Sequence, residues 1–416
     1  MNLNKQDLSI SRSHNYLIYL IIFMGLVAIM DQYLSSVKMT ALPYICQTYN
    51  ISKADFEWWE GWYLIPTFFI FLLNGLNDII GRKLSILILI LMMGFSSIAI
   101  VFYTSTFHLF MFIYAIMTFT TVSNMWSIPI SEESPAQKRA KQVALVYVIG
   151  LIPLQAIFPP FLINTLGLDW KWMYGVMFIF MIPVLIIWLF MKETLRYNVI
   201  KEERAKGIKK RHYFGLGSIN KKDLRYIILS ATIWGSWLVT SFLFYMAGAF
   251  FMDIHGYTLT EWSIVLLITL IGTMIGGVTG GWVMEKIGRG VVLTFGCMGL
   301  ALSLSVLGFL PGNILPFAAP FTGFFISFVY SWIVVYVPEI FPTERRGSCM
   351  GWTTTFARFS YIIGPFTASW LLRVFPMMDW YWVAAGLIML TPILVVVIFK
   401  PHETKSEELE IIETER

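Results

Sequence analysis

The chain has 416 residues, of which 57% are hydrophobic and 13% charged, and its formal net charge is +5. A soluble domain has about 25% charged residues, so this composition excludes an ordinary soluble protein and indicates a polytopic membrane protein. The three cysteines lie in separate segments and the five histidines are scattered, a pattern without metal-ligand spacing. We therefore expect no metal site and no cofactor, and the net charge of +5 does not indicate a nucleic-acid partner.

Apolar runs of about 20 residues mark membrane spans. They predict twelve spans, with approximate limits 16–44, 58–77, 84–104, 108–130, 141–165, 171–191, 224–252, 260–283, 290–310, 314–337, 348–373 and 378–399. Tryptophans such as Trp58, Trp172, Trp262 and Trp380 lie at the starts of several spans at one face, as expected for an interfacial aromatic belt.

The spans divide six and six around a charged segment. This division predicts an N-terminal six-helix bundle, a cytoplasmic linker, a C-terminal six-helix bundle and a cytoplasmic tail, at 1–192, 193–223, 224–400 and 401–416. Most of the 30 Lys and Arg fall on one side of the spans. The positive-inside rule then predicts a multi-pass protein of the cell membrane with both termini in the cytoplasm.

Span 1 contains two charges, Asp31 and Lys38, about two helical turns apart. Each costs about 2.5–3.5 kcal/mol in the bilayer on insertion scales. Desolvation favours the protonated carboxyl, whereas a nearby cation favours the carboxylate. We therefore predict that Asp31 is the proton-coupling group. The alternative is an ion pair of Asp31 with Lys38 or Arg358 that only rigidifies the protein.

Two loops of the first half recur in the second half at one offset. DIIGR at 78–82 corresponds to EKIGR at 285–289, and EESPAQKR at 132–139 corresponds to EIFPTERR at 339–346. The shift is the same in both pairs (78 to 285 and 132 to 339). The chain therefore reads as two related halves in parallel orientation, a pattern that occurs in transporters.

These loops resemble those of the major facilitator superfamily, whose signature after helix 2 is Gly-x-x-x-Asp-Arg-x-Gly-Arg-Arg/Lys. PEIFPTERRGSCMG at 338–351 and KETLRY at 192–197 resemble motifs of its sugar and organic-ion branch. MDQYLSSVKMTALPYI at 30–45 and GWTTTFARFSYIIGP at 351–365 are similar to helices 1 and 11 of organic-ion and aromatic-acid transporters. The resemblance implies an all-α membrane protein with twelve transmembrane helices in two pseudo-symmetric six-helix bundles.

A carboxylate and an arginine beside a helix N-terminus can pair with each other and with the helix dipole. We expect such pairs across the seam between the halves to hold the cytoplasmic side shut, and the resemblance implies the same role. The alternative is that the basic members only set topology. The predicted gate residues are Asp78, Gly81, Arg82, Glu132, Arg139, Glu285, Gly288, Arg289, Glu339 and Arg346.

Arg358 lies near the middle of span 11, too deep for its side chain to reach the membrane surface easily. The resemblance implies that it faces a central cavity, and we predict that it binds an anion with help from Lys38. Polar and aromatic residues at the middle of other spans are further substrate-binding candidates. These are Gln32, Tyr33, Asn124, Trp126, Gln155, Trp234, Tyr330 and Trp352.

The predicted function is secondary active transport of a small organic anion with protons by alternating access, in a monomer embedded in the lipid bilayer. A sugar or other neutral solute carried with protons is one alternative, and drug or metabolite efflux by antiport is another. A non-transporting sensor is a third, although the sequence has no signalling domain. No HExxH, GxSxG or paired-carboxylate motif lies in a span, so we expect no enzymatic activity.

Overall fold

The structure is a computed structural model that describes residues 12–70, 79–121, 123–135, 139–206, 221–341 and 346–404. In the first half, the helices are α1 His14–Ser36, α2 Lys38–Tyr49, α3 Lys53–Tyr63, α4 Arg82–Tyr103, α5 Phe107–Thr121, α6 Ser127–Glu133, α7 Arg139–Gly150, α8 Leu154–Pro160, α9 Trp172–Trp188 and α10 Leu195–Ala205. A 3-10 turn at Ile65–Phe69 follows α3, and a π-helical turn at Phe161–Thr165 follows α8.

The second half follows the same pattern. Its helices are α11 Lys221–Phe244, α12 Ala247–Ala249, α13 Leu259–Ile287, α14 Arg289–Leu307, α15 Leu315–Glu339, α16 Arg346–Ala357, α17 Ser360–Val374, α18 Asp379–Ile388 and α19 Thr391–Phe399. A π-helical turn at Phe250–Ile254 follows α12.

Among the described residues, 8 helical segments are long and apolar enough to cross a membrane, and Phe107–Thr121 and Trp172–Trp188 are shorter apolar helices. These ten segments coincide with predicted spans 1, 3 to 10 and 12. Predicted span 11 is divided at residues 358–359 into α16 and α17. Predicted span 2 changes from α-helix to a 3-10 turn at Ile65 and then leaves the described region. Both interruptions shorten the continuous helix without changing the apolar character of the run.

Helix α3 begins before the predicted start of span 2. Ser52 caps it by accepting a hydrogen bond from the backbone N–H of Asp55 at 3.0 Å, a typical N-cap contact. The early start places Glu57 within the helix, where it is buried, while Trp58 and Trp62 on other faces are exposed. The face of α3 with Glu57 and Glu60 therefore points into the protein, and its tryptophan face points out.

The described residues form two compact units. The first contains those within Met1–Ser36, Ile70–Ile152 and Lys171–Phe214, and the second contains those within Val37–Phe69, Pro153–Trp170 and Gly215–Arg416. The boundaries cut through predicted spans 1, 2 and 5. The limits of the predicted six-helix bundles therefore stay a prediction.

In the second unit, α13 and α15 pack at very close range. A Cβ atom on Gly276 would overlap the carbonyl oxygen of Phe324, and one on Gly272 would lie 2.6 Å from that of Pro320. The two glycines are four residues apart and share a face of α13. Such small-residue stripes let helix backbones approach closely inside membranes, so α13 and α15 form a tightly packed pair.

Candidate functional site

Asp31 is buried in the first unit, with 1% of its surface exposed. Its Oδ2 atom accepts hydrogen bonds from Trp126 Nε1 at 3.2 Å and from Gln32 Nε2 at 3.1 Å. The Trp126 ring stacks on Tyr147 with centroids 6.4 Å apart. Three residues predicted separately from the sequence, Asp31, Gln32 and Trp126, thus meet at one carboxylate.

Close packing of α1 on α7 positions this carboxylate. A Cβ atom on Gly150 would lie 2.9 Å from the Ala28 methyl group, and one on Gly25 would lie 2.7 Å from Ile149. Tyr147 therefore belongs to the helix that lies directly against the Asp31 segment. Because small residues let the two helices touch, Asp31 sits within a tightly packed region of the unit.

Two other candidates of the first unit have different surroundings. Tyr33 is buried, and its hydroxyl donates a hydrogen bond to the carbonyl oxygen of Met173 at 2.6 Å. Asn124 is exposed in the turn between α5 and α6 and has a positive φ of 50°. Tyr33 thus fastens α1 to α9, and Asn124 shapes a turn. Their predicted roles in substrate binding stay predictions.

Lys38 belongs to the second unit and lies in a buried ion cluster. Its Nζ atom is 2.7 Å from Glu57 Oε1 and also pairs with Glu60 Oε2. All three side chains are 0% exposed. We call Lys38, Glu57 and Glu60 the lysine cluster. The carboxylates of Glu57 and Glu60 offset the positive charge of Lys38 within span 1. Neither glutamate was a site candidate from the sequence.

Arg358 lies at the break between α16 and α17 and is 5% exposed. Next to it, Ser360 donates its hydroxyl to the carbonyl oxygen of Gly235 at 2.9 Å, which fixes the break against α11. The ring of Tyr361 packs edge-on against Phe242 at 4.8 Å. A guanidinium is charged at every physiological pH, so the break holds a permanent buried cation.

The remaining candidates also lie in the second unit. Gln155 is 2% exposed, and among the described residues its Oε1 atom receives no hydrogen bond. Tyr330 stacks on Trp237 at 4.8 Å, and Trp352 stacks on Phe356 at 5.6 Å. Trp234 is half-buried. Of these candidates, Gln155 has a buried acceptor that a hydroxyl or amide of a ligand could use.

The first half contains a compact ion cluster at the predicted gate. Arg82 donates to Glu132 through Nη2 at 2.7 Å and Nε at 3.0 Å. Thr194 donates its hydroxyl to Glu132 at 2.7 Å, and Glu193 Oε1 accepts from the backbone N–H of Arg82 at 2.8 Å. We call Gly81, Arg82, Glu132, Glu193 and Thr194 the first loop cluster.

The second half builds the same cluster. Arg289 donates to Glu339 through Nη2 at 3.2 Å and Nε at 3.4 Å. Thr404 donates to Glu339 at 2.7 Å, and Glu403 accepts from the backbone N–H of Arg289 at 2.9 Å. We call Gly288, Arg289, Glu339, Glu403 and Thr404 the second loop cluster. The repeat seen in the sequence is thus also a repeat of contacts.

The pairs differ from the expected arrangement across the seam, because Arg82 and Arg289 each bind a glutamate of their own half. Glu285 joins the second cluster through Arg289 at 3.3 Å. Asp78 lies outside the described residues. Arg139 and Arg346 begin α7 and α16, but their side chains are not among the described parts of the chain. The gate role of all these residues stays a prediction.

Sequence reasoning missed two pairs of carboxylates. Glu193 and Glu403 cap α4 and α14, and each precedes a threonine. The recurrence of Glu-Thr shortly after spans 6 and 12 could have indicated them. Glu57 and Glu60 were missed because they lie at the predicted start of span 2, residue 58, where a charged side chain ordinarily reaches the membrane surface. Their three-residue spacing, which places them on one helix face opposite several tryptophans, could have indicated a buried pair.

The comparison with protein families decides the class of this fold. The model of the Major Facilitator Superfamily matches residues 21–319 and 246–414. The chain belongs to the major facilitator superfamily. The predicted fold, twelve transmembrane helices in two pseudo-symmetric bundles, is confirmed, and the protein is a multi-pass membrane transporter of this superfamily.

Two similar proteins come from Acinetobacter baylyi. A cis,cis-muconate transport protein is 30% identical over 118 residues, which cover 28% of this chain and 28% of the relative. A benzoate transport protein is 24% identical over 304 residues, which cover 65% of this chain and 64% of the relative. The matched regions therefore span less than two thirds of either relative.

Solved structures share the superfamily fold. The xylose transporter XylE from E. coli, in an inward open conformation, has a TM-score of 0.72 and 19% identity, with 96% of this chain and 99% of that chain covered. A mutant of the nucleoside transporter NupG has a TM-score of 0.69 and 13% identity, with 92% of this chain and 99% of that chain covered. At these identities the likeness concerns the fold alone.

Proposed function

We propose that this superfamily member is a secondary active transporter that moves a small organic carboxylate together with protons by alternating access. Asp31 takes up and releases the proton, and Arg358 binds the carboxylate. In this proposal the protein lies in the cell membrane with both termini in the cytoplasm. The two loop clusters form part of a cytoplasmic gate. The muconate and benzoate transport proteins among its relatives support the choice of an organic anion.

The observation that carries the substrate class is the buried guanidinium of Arg358, 5% exposed within a predicted span. A cation at this depth is costly and usually faces the protein interior or a watery cavity, where it marks a substrate or ion pathway. A guanidinium fork matches a carboxylate with two parallel hydrogen bonds. The helix break beside Arg358 also gives the segment a natural point of movement.

The coupling follows from elementary electrostatics. Burial favours the protonated form of Asp31, whereas an accessible cation favours its carboxylate form. In the proposed cycle, an incoming carboxylate binds Arg358 and offsets its positive charge, and Asp31 then takes a proton. Trp126 and Gln32 hold the Asp31 carboxyl in place through their hydrogen bonds.

The test uses purified protein in liposomes with labelled benzoate, cis,cis-muconate, xylose and a nucleoside, with and without an imposed pH gradient. We expect gradient-driven uptake of the carboxylates only. Asp31→Asn should abolish gradient-driven uptake and retain exchange of carboxylate between the two sides. Asp169→Asn, at an exposed position, is the matched control. Uptake in Asp31→Asn that still follows the gradient would overturn the coupling.

For Arg358, we expect Arg358→Ala to weaken carboxylate binding by about 30-fold, because loss of a partner of a buried charge costs at least about 2 kcal/mol. Arg373→Ala, on the same predicted span but 53% exposed, is the control. Unchanged carboxylate affinity in Arg358→Ala would refute the binding role.

A neutral polyol is the second candidate because Gln155 Oε1 is a buried acceptor that receives no hydrogen bond within the described part of the chain. A solute hydroxyl would satisfy it, and buried polar atoms rarely stay unsatisfied. Xylose uptake that falls at least about tenfold in Gln155→Leu, with no carboxylate uptake, would favour this candidate over the first.

A further inference from the structure

The lysine cluster is a group of three buried ionisable side chains apart from the proposed Asp31 and Arg358 site. Glu57 and Glu60 lie three residues apart on α3, and both contact the single Nζ atom of Lys38. Their carboxylates are therefore close neighbours. With all three groups ionised, the cluster would have a net charge of −1.

The surroundings of this cluster are poor at stabilising such a charge. The rings of Phe56, Phe242 and Tyr245 lie 5.2 Å, 6.0 Å and 5.9 Å from Lys38 Nζ. Within the described residues, Glu57 Oε2 receives no hydrogen bond although it is buried. Transfer of an ion from water into such surroundings costs several kcal/mol, and good pairing has to offset that cost. One ammonium offsets only one of the two carboxylates.

Three further titratable side chains of the described residues lie near the cluster. They are Tyr245 in the turn after α11, Tyr381 on α18 and Cys46 on α2, and these side-chain types are ordinarily neutral near pH 7. Tyr381 also uses its hydroxyl to donate to the carbonyl oxygen of Leu243 at 3.0 Å. None of the three therefore adds a positive charge to the cluster.

The charged groups on the adjoining segments are occupied in pairs of their own. Lys53 lies 2.7 Å from Asp253, and Arg373 lies 3.0 Å from Asp55. All four side chains are partly exposed, from 26% to 53%, so water screens their charge.

We infer that the lysine cluster is a second proton-binding site, which holds one proton between Glu57 and Glu60. The proton bonds to a carboxylate oxygen of either residue and converts it to a carboxylic acid, whose O–H can donate to the other carboxylate. The net charge of the cluster goes from −1 to zero, and no other bond changes. Two carboxylates that share a site behave in this way because like charges at short range resist joint ionisation.

The placement of the site links it to conformational change. Lys38 comes from α2, and both glutamates come from α3. Two of the three neighbouring rings, Phe242 and Tyr245, come from α11 and the turn after it. A movement that separated α11 from α2 and α3 would admit water to the cluster. Hydration lowers the cost of the second carboxylate charge, so the proton would be released on opening.

Infrared spectroscopy of the wild-type protein in lipid bilayers tests this site without any transport substrate. A protonated carboxylic acid has a carbonyl band well separated from that of a carboxylate. We expect such a band at neutral pH, and we expect it to shift when glutamate side chains carry 13C in the carboxyl group. Absence of a glutamate-sensitive acid band would overturn the site.

Single variants then assign the band. Glu57→Gln and Glu60→Gln should each remove it, because one carboxylate beside Lys38 already gives a neutral cluster. Asp55→Asn, on the same helix but exposed, and Asp31→Asn should leave it in place. If the glutamine variants do not fold, Glu57→Asp and Glu60→Asp should shift the band. The assignment would be refuted if none of these substitutions at Glu57 and Glu60 affected the band. Because no substrate is present, failure here is distinct from failure of the proposed transport function.

Discussion

The two loop clusters have the same arrangement of contacts but differ in the length and burial of their arginine–glutamate ion pairs. Arg82 and Glu132 are joined at 2.7 Å and 3.0 Å, and their side chains are 6% and 10% exposed. Arg289 and Glu339 are joined at 3.2 Å and 3.4 Å, with 5% and 26% exposure. The first pair is therefore shorter and its carboxylate is better shielded from water.

Neighbouring side chains explain the difference. The Tyr197 ring lies 5.0 Å from the Arg82 guanidinium and covers it. Arg289 instead divides its hydrogen bonds between Glu339 and Glu285, whose side chain is 63% exposed. Repeated sequence thus sets which groups pair, whereas the surrounding residues set how strongly they pair. Equivalent substitutions in the two clusters test this difference.

Replacement of the arginines should give the largest difference between the clusters. Arg82→Gln leaves Glu132 poorly solvated and should reduce the free energy of unfolding by about 3–5 kcal/mol. Arg289→Gln should cost about 1.5–3 kcal/mol, because Glu339 is more exposed. The midpoint of thermal unfolding in detergent, followed by tryptophan fluorescence, shows which of the two variants is less stable. Arg196→Gln, at an exposed position of α10, is the control, and equal shifts for Arg82 and Arg289 would contradict the comparison.

Replacement of the turn glycines should give an intermediate effect. Gly81 and Gly288 have φ values of 95° and 99° with ψ values of 165° and 162°, a region that glycine alone occupies readily. Alanine there should cost about 1–3 kcal/mol. A Cβ on Gly81 would also overlap Glu193 Oε2, whereas one on Gly288 would lie 3.1 Å from the nearest atom of Glu403.

We therefore expect Gly81→Ala to lower the unfolding midpoint more than Gly288→Ala. Gly281→Ala is the control, because no atom lies within 4 Å of the position of its Cβ and φ is in the ordinary range. A smaller effect at Gly81 than at Gly288 would show that Glu193 moves aside without cost.

Replacement of the capping glutamates should give the smallest effect and the same effect in both clusters. Glu193 accepts from the N–H groups of Arg82 and Lys83, and Glu403 accepts from those of Arg289 and Gly290. A negative charge at a helix N-terminus contributes about 0.3–1 kcal/mol. Glu193→Gln and Glu403→Gln should thus give similar small shifts of the unfolding midpoint. A large shift in only one variant would mean that its glutamate has a further role.

Local features explain why the spans and the repeat could be read from the sequence. A run of apolar residues favours a membrane span wherever it occurs, and the helix break in predicted span 11 does not remove that signal. The shared offset placed Arg82 with Arg289 and Glu132 with Glu339 in register. The contacts of Asp31 were only partly predictable, because its neighbour Gln32 follows it directly while Trp126, just before α6, reaches it only through tertiary packing.

The sequence by itself thus determined the membrane class, the positions of the spans and the two related halves, because each depends on hydropathy or on short motifs within one segment. Only the tertiary structure decided that Lys38 pairs with Glu57 and Glu60, that Glu193 and Glu403 cap helices far from them in sequence, and that each gate arginine binds within its own half. The reason is physical: the partner of a buried charge is set by which helix faces pack together, and the residues of one segment do not specify the face of another.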